Sequence, residues 1–265
     1  MSLSSWRSGF SEYLSGLAHW RIVHLLGISL IRTRYARSKI GQFWLVLSTS
    51  IFLVSFGVVW SVLWKRPIDD YLPYIAISHV LWGLITLSLM EATTAFQSNY
   101  QFFMNERKPF SVAVFAVVYR NSIIFSHNII VVAAIFIYFS VSVGWVSLWA
   151  ILFLGVVLLQ LLVYGYLLAL LCCRYRDLIQ LVNSFLQIAF FLTPVIWQIS
   201  FIPAEYRWID YFNPLSASLE IVRGPLLGYF PDMFYILNVF VTLSIGAIAL
   251  GLCAALFGRK IIYWV

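Results

Sequence analysis

The sequence predicts an all-α polytopic membrane protein with six transmembrane helices. Of its 265 residues, 62% are hydrophobic and only 10% are charged, whereas about 25% of the residues of a soluble domain are charged. The chain also contains several uncharged runs of at least about 20 residues, the length that an α-helix needs to cross a bilayer. Most lysines and arginines lie in the short segments between these runs. A chain with this distribution of charge cannot cover a soluble surface.

The uncharged runs give the positions of the spans. They predict helices at about residues 41–64, 71–94, 112–140, 146–172, 178–200 and 233–258. Residues 121–173 form one uncharged run of 53 residues, which is enough for two crossings. We place the break between them at residues 140–147, because the serines, Gly144 and Trp145 favour a short turn.

Residues 1–40 are predicted to form a cytoplasmic region that contains an interfacial helix. Arg21 and Arg32 are eleven residues apart and therefore share one face of a helix, whereas Val23 and Leu26 lie opposite. A helix with one basic face and one apolar face lies in the plane of the membrane interface.

The remaining segments connect or follow the spans. Residues 95–110 form a connector, and residues 259–265 form a cytoplasmic tail. Residues 201–232 form an external segment that holds four of the eight prolines of the chain. Within it, residues 202–212 and 215–227 are apolar but too short to span a bilayer. They predict two short re-entrant or interfacial helices before the last span.

The basic residues predict that both termini face the cytoplasm. Cytoplasmic segments of membrane proteins carry an excess of lysine and arginine. With both ends inside, the cytoplasmic segments hold twelve basic residues, and the external segments hold four. The external four are Lys65, Arg66, Arg207 and Arg223.

The sequence lacks the motifs of several common activities, and we expect no catalytic residue in this chain. An ATP-binding loop is written G-x-x-x-x-G-K-[ST], and the sequence has no Gly-Lys pair. The four histidines and three cysteines have no metal-ligand spacing, so no metal or other cofactor is expected in the chain itself. The net charge of +7 is spread over short loops rather than one soluble face, which argues against nucleic-acid binding.

Four local patterns resemble those of polysaccharide-exporting ABC permeases. Residues 32–44, RTRYARSKIGQFW, resemble the R-x-R-Y-x-x-S-x-[LI]-G-x-x-W stretch that opens the first span of these permeases. RYRD at 174–177 and FLTPVIW at 191–197 are similar to their R-[YF]-R-D loop and their F-x-[ST]-P-[VI]-x-[YW] motif. Residues 213–223 match N-P-x(5)-E-x-x-R. Together these motifs resemble the membrane subunit of an ABC-2-type exporter, with the greatest similarity to O-antigen, capsule and teichoic-acid export permeases.

This resemblance implies that residues 41–258 form an ABC-2-type transmembrane domain. It implies a homodimeric permease that exports a lipid-linked polysaccharide from the cytoplasmic side, as lipopolysaccharide biosynthesis requires for O-antigen. Energy would come from two copies of a separate nucleotide-binding ATPase, which would bind ATP and Mg. The connector would couple to that ATPase through Gln97, Asn105, Glu106, Arg107 and Lys108. The alternative is that the connector is only a solvated basic loop.

Two sets of residues are candidates for contact with the substrate. Four basic residues before the first span can bind the phosphate that joins glycan to lipid, or can simply anchor the span: Arg32, Arg34, Arg37 and Lys39. Aromatic rings near the external ends of the spans can stack on sugar rings, although interfacial belts and core packing account for most of the Trp and Tyr residues. The candidate rings are those of Trp60, Trp64, Tyr71, Tyr74, Trp197, Tyr206, Trp208, Tyr211 and Phe212.

One intramembrane ion pair is predicted between Glu91 and Arg120. Glu91 lies near the inner end of its span, and Arg120 lies on the inner side of the third span. A structural contact is the favoured interpretation, and a role in proton transfer or gating is the alternative.

Two other function classes remain open at this point. A membrane-embedded glycan polymerase or acyltransferase would need clustered acids, a histidine or an arginine cluster, whereas the external acids are scattered. An ATP-independent carrier would need ionisable residues near the centre of the membrane, and these are few.

Overall fold

The computed structural model describes residues 12–35, 41, 43–106, 108–257, 261 and 264, and the regular structure of these residues is entirely helical. The predicted all-α polytopic class is confirmed. In chain order the helices are α1 (Glu12–Ala18), α2 (Trp20–Tyr35), α3 (Phe43–Leu63), α4 (Ile68–Ala92), α5 (Ala95–Ser98), α6 (Tyr100–Glu106), α7 (Ser111–Tyr138), α8 (Leu148–Arg174), α9 (Asp177–Leu192), α10 (Trp208–Tyr211), α11 (Pro214–Leu226) and α12 (Met233–Phe257).

Five helices in the described part of the chain are long and apolar enough to cross a membrane: α3, α4, α7, α8 and α12. Because consecutive spans run in opposite directions, the bundle has two ends. The connector end holds α5, α6 and the turn between α8 and α9. The re-entrant end holds α10 and α11. The turn predicted at residues 140–147 separates α7 from α8 at the re-entrant end.

Helix α9 is shorter than the predicted fifth span at 178–200, because it ends at Leu192. Its 16 residues measure about 24 Å, less than the roughly 30 Å of a bilayer core. Pro194 explains the early end, since the residue before a proline is driven out of helical geometry. Thr193 accordingly has an extended backbone, with φ −99° and ψ 139°. The rest of the predicted span consists of turns and the start of the 3-10 helix Ile199–Phe201.

Helix α4 forms the centre of the bundle. It packs against α3, α7, α8, α9 and α11, and most of its side chains are buried. Helix α3 approaches it closely at Gly57, where an added Cβ would lie 2.2 Å from Leu72 Cδ1. Small residues at such crossings let transmembrane helices pack without a gap. A larger residue at Gly57 would therefore push α3 away from α4.

The external segment contains one substantial helix rather than two. Residues 202–212 form turns, a single turn of 3-10 helix at Ala204–Tyr206 and the four-residue helix α10, so the first predicted short helix is present but broken and shorter than predicted. Helix α11 corresponds to the second. It is buried from Ser216 to Pro225 against α4, α8 and α12, so it lies inside the protein.

Helices α1 and α2 meet at a bend of 79°. Helix α2 packs along α7, with Gly27 and Ile31 buried. Arg21 and Arg32 are exposed, as expected from their position on the opposite face.

Candidate functional site

A buried ion pair lies at the re-entrant end. Arg223 donates from Nε to Glu220 Oε2 at 3.0 Å, and its Nη2 bonds the same oxygen. The guanidinium lies over the ring of Tyr74, with Cζ 4.3 Å from the ring centroid. Glu220 Oε1 accepts a hydrogen bond from the Tyr229 hydroxyl at 2.7 Å. Both charges therefore have the partners that a buried charge requires.

Arg223 also connects its own helix α11 to α4 and to the turn that follows α9. Its Nη1 donates to the carbonyl oxygen of Pro194 at 2.6 Å and to Ser78 Oγ of α4 at 2.9 Å. We call this group, Tyr74, Ser78, Glu220 and Arg223, the arginine bracket. It holds α11 against α4 and against the turn that follows α9.

Tyr71 and Tyr74 satisfy the backbone of that turn. The Tyr74 hydroxyl lies 2.9 Å from the carbonyl oxygens of both Pro194 and Trp197, and the Tyr71 hydroxyl donates to Ile196 at 2.5 Å. Irregular backbone at membrane depth is stable only where protein or water satisfies it. Both tyrosines are buried. Their rings therefore stabilise the turn within the protomer, which is the core-packing alternative that the sequence left open beside contact with a glycan.

The start of α11 is fixed by its own sequence. Asn213 is the N-cap residue, and its Oδ1 accepts from the backbone N–H of Leu215 at 3.0 Å. Pro214 follows at the first helical position, where a missing N–H does no harm. Ser216 and Tyr235 donate to Asp210. Burial raises the pKa of the Asp210 carboxyl, and these two hydrogen bonds act in the opposite direction.

An exposed polar stripe runs along α9. Gln180, Ser184 and Gln187 define it, and Phe191 continues the same face. An amide without a partner is unfavourable in hydrocarbon, and the exposed face of α12 is mainly apolar by comparison. The polar stripe therefore requires water or protein beside it. The sequence prediction missed these residues, although their spacing of four and three was a readable signal.

A groove of about 420 Å³ lies between α4 and α9 beside the polar stripe. It is lined by Trp82, Thr86, Met90, Leu186, Gln187, Phe190 and Phe191. Trp82 and Phe190 pack with ring centroids 5.8 Å apart. The groove thus combines aromatic rings with uncharged polar groups.

The other predicted aromatic residues do not form one surface. Trp60 and Trp64 are half-buried and pack at 4.9 Å between ring centroids. Trp197 donates from Nε1 to the carbonyl of Phe191 at 3.0 Å, and Tyr211 is half-buried. Three rings at the re-entrant end are exposed, namely Tyr206, Trp208 and Phe212. These three are free to meet a ligand, whereas most of the others pack within the protomer.

The structure brings Glu91 and Arg120 together as an ion pair between α4 and α7. Asn121 Nδ2 donates to Glu91 Oε2 at 2.9 Å. The Arg120 side chain is 9% exposed and that of Glu91 is 27% exposed. The pair is therefore well placed to hold the two helices together.

We expect Glu91→Gln to lower the free energy of unfolding by about 1–3 kcal/mol, because Arg120 would lose its counter-charge in a poorly solvated position. Unfolding in mixed detergent micelles measures this loss. A gating or proton-transfer role instead predicts unchanged stability with a changed pH dependence of export. That result would contradict the structural interpretation.

The predicted headgroup residues lie around the end of α2. Arg32 is exposed, and Arg34 lies in the last turn of α2. Arg37 and Lys39 lie outside the described residues. Within this set of four residues, the structure therefore gives the exposure of the Arg32 side chain.

The predicted coupling residues are spread along the connector. Gln97 Nε2 donates to the carbonyl of Cys172 at 3.4 Å, so its side chain faces α8. Asn105 and Glu106 lie in α6, and Lys108 lies in the segment before α7. Arg107 lies outside the described residues.

Comparison with known proteins decides the family. Residues 23–227 match the family described as ABC-2 type transporter. The chain belongs to the ABC-2 type transporter family. The match runs from α2 to the end of α11, so it includes the polar stripe, the groove and the arginine bracket. Permeases of this family are transport subunits that in general work with an ATPase partner.

This ABC-2 permease is similar to proteins described as O-antigen export system permease protein RfbA. Two from Klebsiella pneumoniae are 23% identical over 191 residues (71% of this chain and 73% of the relative) and 22% identical over 220 residues (80% and 85%). One from Myxococcus xanthus is 25% identical over 179 residues (66% and 67%). The resemblance to O-antigen export permeases that the motifs predicted is confirmed.

Proposed function

We propose that this ABC-2 permease exports a lipid-linked polysaccharide of the O-antigen type, and that the polar stripe and the adjoining groove contact the glycan. The observation that carries the proposal is the exposed polar stripe of α9, which combines two amides and a hydroxyl on the surface of a short membrane helix. Such a face is unfavourable against lipid tails, and it suits a hydrated path.

The chemistry of the groove matches that of a sugar chain. The Gln187 amide can both donate to and accept from sugar hydroxyls. Rings such as Trp82 and Phe190 can stack on the C–H faces of sugar rings. Because neither contact requires one pattern of hydroxyls, successive sugars of different kinds can slide past. The absence of a fixed charge on the stripe favours release over tight binding.

A second copy of the chain would complete the path. The polar stripe faces outward from the protomer, so a two-fold axis beside α9 would place two stripes opposite each other. Gln187 of one protomer would then face Gln187 of its partner across the path. The proposed unit is therefore a homodimer.

The family and the basic residues support the proposed energy source and orientation. Two copies of an ATPase would bind ATP and Mg and would act on the connector. Both termini would face the cytoplasm at the bacterial inner membrane, consistent with the excess of basic residues in the connector-end segments. The basic group that begins at Arg32 would then lie at the headgroup level, where it can meet the phosphate of the substrate.

Inside-out membrane vesicles test this proposal. Vesicles that contain the permease, its ATPase and lipid-linked O-antigen should move the polysaccharide into the lumen when ATP is added, because cytoplasmic sites then face the medium. Protection of the glycan from an added polysaccharide-degrading enzyme measures the movement. Vesicles without the permease are the control. Equal protection with and without the permease would reject the proposal.

A further inference from the structure

Glu12 of α1 contacts three separate segments. Its Oε1 accepts a hydrogen bond from the backbone N–H of Phe110 at 3.0 Å, and Phe110 is the last residue of the connector. Its Oε2 accepts a hydrogen bond from the Tyr166 hydroxyl of α8. Its carbonyl oxygen accepts from Ser111 Oγ of α7 at 2.9 Å. One residue therefore joins α1 to the connector, to α7 and to α8.

A cluster of aromatic rings includes Tyr166, the partner of this carboxylate. Tyr13 packs edge-on against Phe115 and Tyr166, each at 5.3 Å between centroids. Tyr166 packs against Phe96 of α5 at 5.6 Å, and Phe96 packs against Phe110 at 5.4 Å. All of these rings except that of Phe110 are buried. The contacts form a continuous path from the connector to α1.

Helix α1 lies directly on the start of α7. An added Cβ at Gly16 would lie 2.6 Å from Ser111 Oγ, so the two helices leave no room between them. Helix α2 is equally close to α7, because an added Cβ at Gly27 would lie 2.7 Å from Tyr119 Cδ1. A packed contact of this kind transmits displacement rather than absorbing it.

The Glu12 carboxyl is largely buried, so its stability depends on the groups that donate hydrogen bonds to it. Burial raises the pKa of its carboxyl, while the hydrogen bonds from Tyr166, Phe110 and Ser111 act in the opposite direction. A buried carboxylate that loses such donors is unfavourable. Moving α1 away from the connector would remove the Phe110 hydrogen bond and leave the buried carboxylate less well satisfied.

We infer that Glu12 positions α1 on the connector, so that a movement of the connector carries α1 and α2 with it. The inference rests on the proposed function, because it assumes that an ATPase moves the connector. Since α2 ends at the basic segment before α3, the same movement would reach Arg32 and its neighbours. Glu12 acts through the helix that it holds, and it is a positioning residue.

The first test measures the contact itself. Glu12→Ala removes the hydrogen bonds that the carboxylate accepts from Phe110 and Tyr166, and we expect amide hydrogen exchange in α1 and at Phe110 to become about tenfold faster or more. Hydrogen-exchange mass spectrometry on the purified chain in lipid nanodiscs measures it. Glu12→Gln keeps an acceptor for the Phe110 N–H, and we expect exchange within about twofold of the wild type.

Two further variants show whether faster exchange comes from loss of the Glu12 contact or from general unfolding. Tyr166→Phe removes a single donor to Glu12, and we expect an exchange rate between those of the wild type and Glu12→Ala. Ser15→Ala is the matched control, because its hydroxyl bonds the Glu12 carbonyl within α1 at 2.6 Å and does not reach the connector. We expect exchange at Phe110 to be unchanged in this control.

The second test measures coupling in the vesicle assay. We expect Glu12→Ala to reduce the polysaccharide moved per ATP hydrolysed by about fivefold, and Glu12→Gln to restore most of it. A purely structural contact would lower the amount of protein without changing this ratio.

The results of these tests distinguish failure of the role of Glu12 from failure of the proposed export function. Exchange in Glu12→Ala at the wild-type rate would overturn the positioning role. Faster exchange with an unchanged ratio would overturn the coupling role alone. Absence of ATP-driven movement with the wild-type chain would reject the proposed function, and the coupling inference with it.

Discussion

Replacement of Arg223 by methionine is expected to lower the free energy of unfolding by about 3–5 kcal/mol, because it leaves a buried carboxylate without its partner. Glu220 would keep its hydrogen bond from Tyr229 but would lose the opposite charge. The carbonyl of Pro194 would also lose its guanidinium donor in an irregular part of the backbone. Titration with sodium dodecyl sulfate in mixed micelles measures the loss.

A matched control distinguishes this effect from the loss of any external arginine. Arg207 lies in the same external segment and is exposed, so Arg207→Met should change the free energy of unfolding by less than about 0.5 kcal/mol. Arg223→Lys should recover only part of the stability, because an ammonium lacks the planar fork that reaches Glu220, Ser78 and Pro194 together. Equal stability of Arg223→Met and Arg207→Met would contradict the role of the arginine bracket.

The double variant Ser184→Leu, Gln187→Leu is expected to reduce ATP-driven export about tenfold or more, because two polar contacts to the glycan would be lost at about 1 kcal/mol each. Leucine favours helix formation and membrane burial, so the variant should still insert. Initial rates in the vesicle assay, at matched amounts of protein, measure the effect.

Ser244→Leu provides the control for the polar stripe. Ser244 is an exposed residue of α12, and its hydroxyl donates to the Phe240 carbonyl of its own helix at 2.8 Å. It can therefore face lipid without an unsatisfied group, and its replacement should leave export unchanged. Export by the α9 double variant at the wild-type rate would show that the glycan takes another route.

The arginine bracket and the polar stripe are connected through the end of α9. Phe191, which continues the stripe and lines the groove, accepts a hydrogen bond from Trp197 of the braced turn. Pro194 ends α9, and the bracket then holds the turn that follows it next to the groove. A loosened bracket would displace the groove as well as α11.

Two of the sequence motifs acquire a physical explanation in this arrangement. In FLTPVIW, Pro194 ends α9, and the carbonyls that follow are satisfied by other elements. In N-P-x(5)-E-x-x-R, Asn213 and Pro214 begin α11, while Glu220 and Arg223 lie three residues apart on one face. The two motifs supply the two partners of one contact, the hydrogen bond from Arg223 to the carbonyl of Pro194.

The sequence by itself determined the fold class and most of the spans. Hydrocarbon excludes charges and requires a helix of about 20 apolar residues, so uncharged runs locate the spans without knowledge of their neighbours. The cap at Asn213 and the break at Pro194 are also local features of the sequence, although the predicted fifth span ran through Pro194. The family followed from motifs in the correct order along the chain.

Only the tertiary structure decided which side chains share a site. Tyr74 and Pro194 are 120 residues apart in the sequence, and Glu12 and Tyr166 are 154 residues apart. Hydropathy does not reveal which face of an apolar helix is covered, so it could not separate the buried Tyr71 from the exposed Trp208. Those assignments depend on how the helices pack, because burial and hydrogen bonding of a side chain are set by residues far away in the chain.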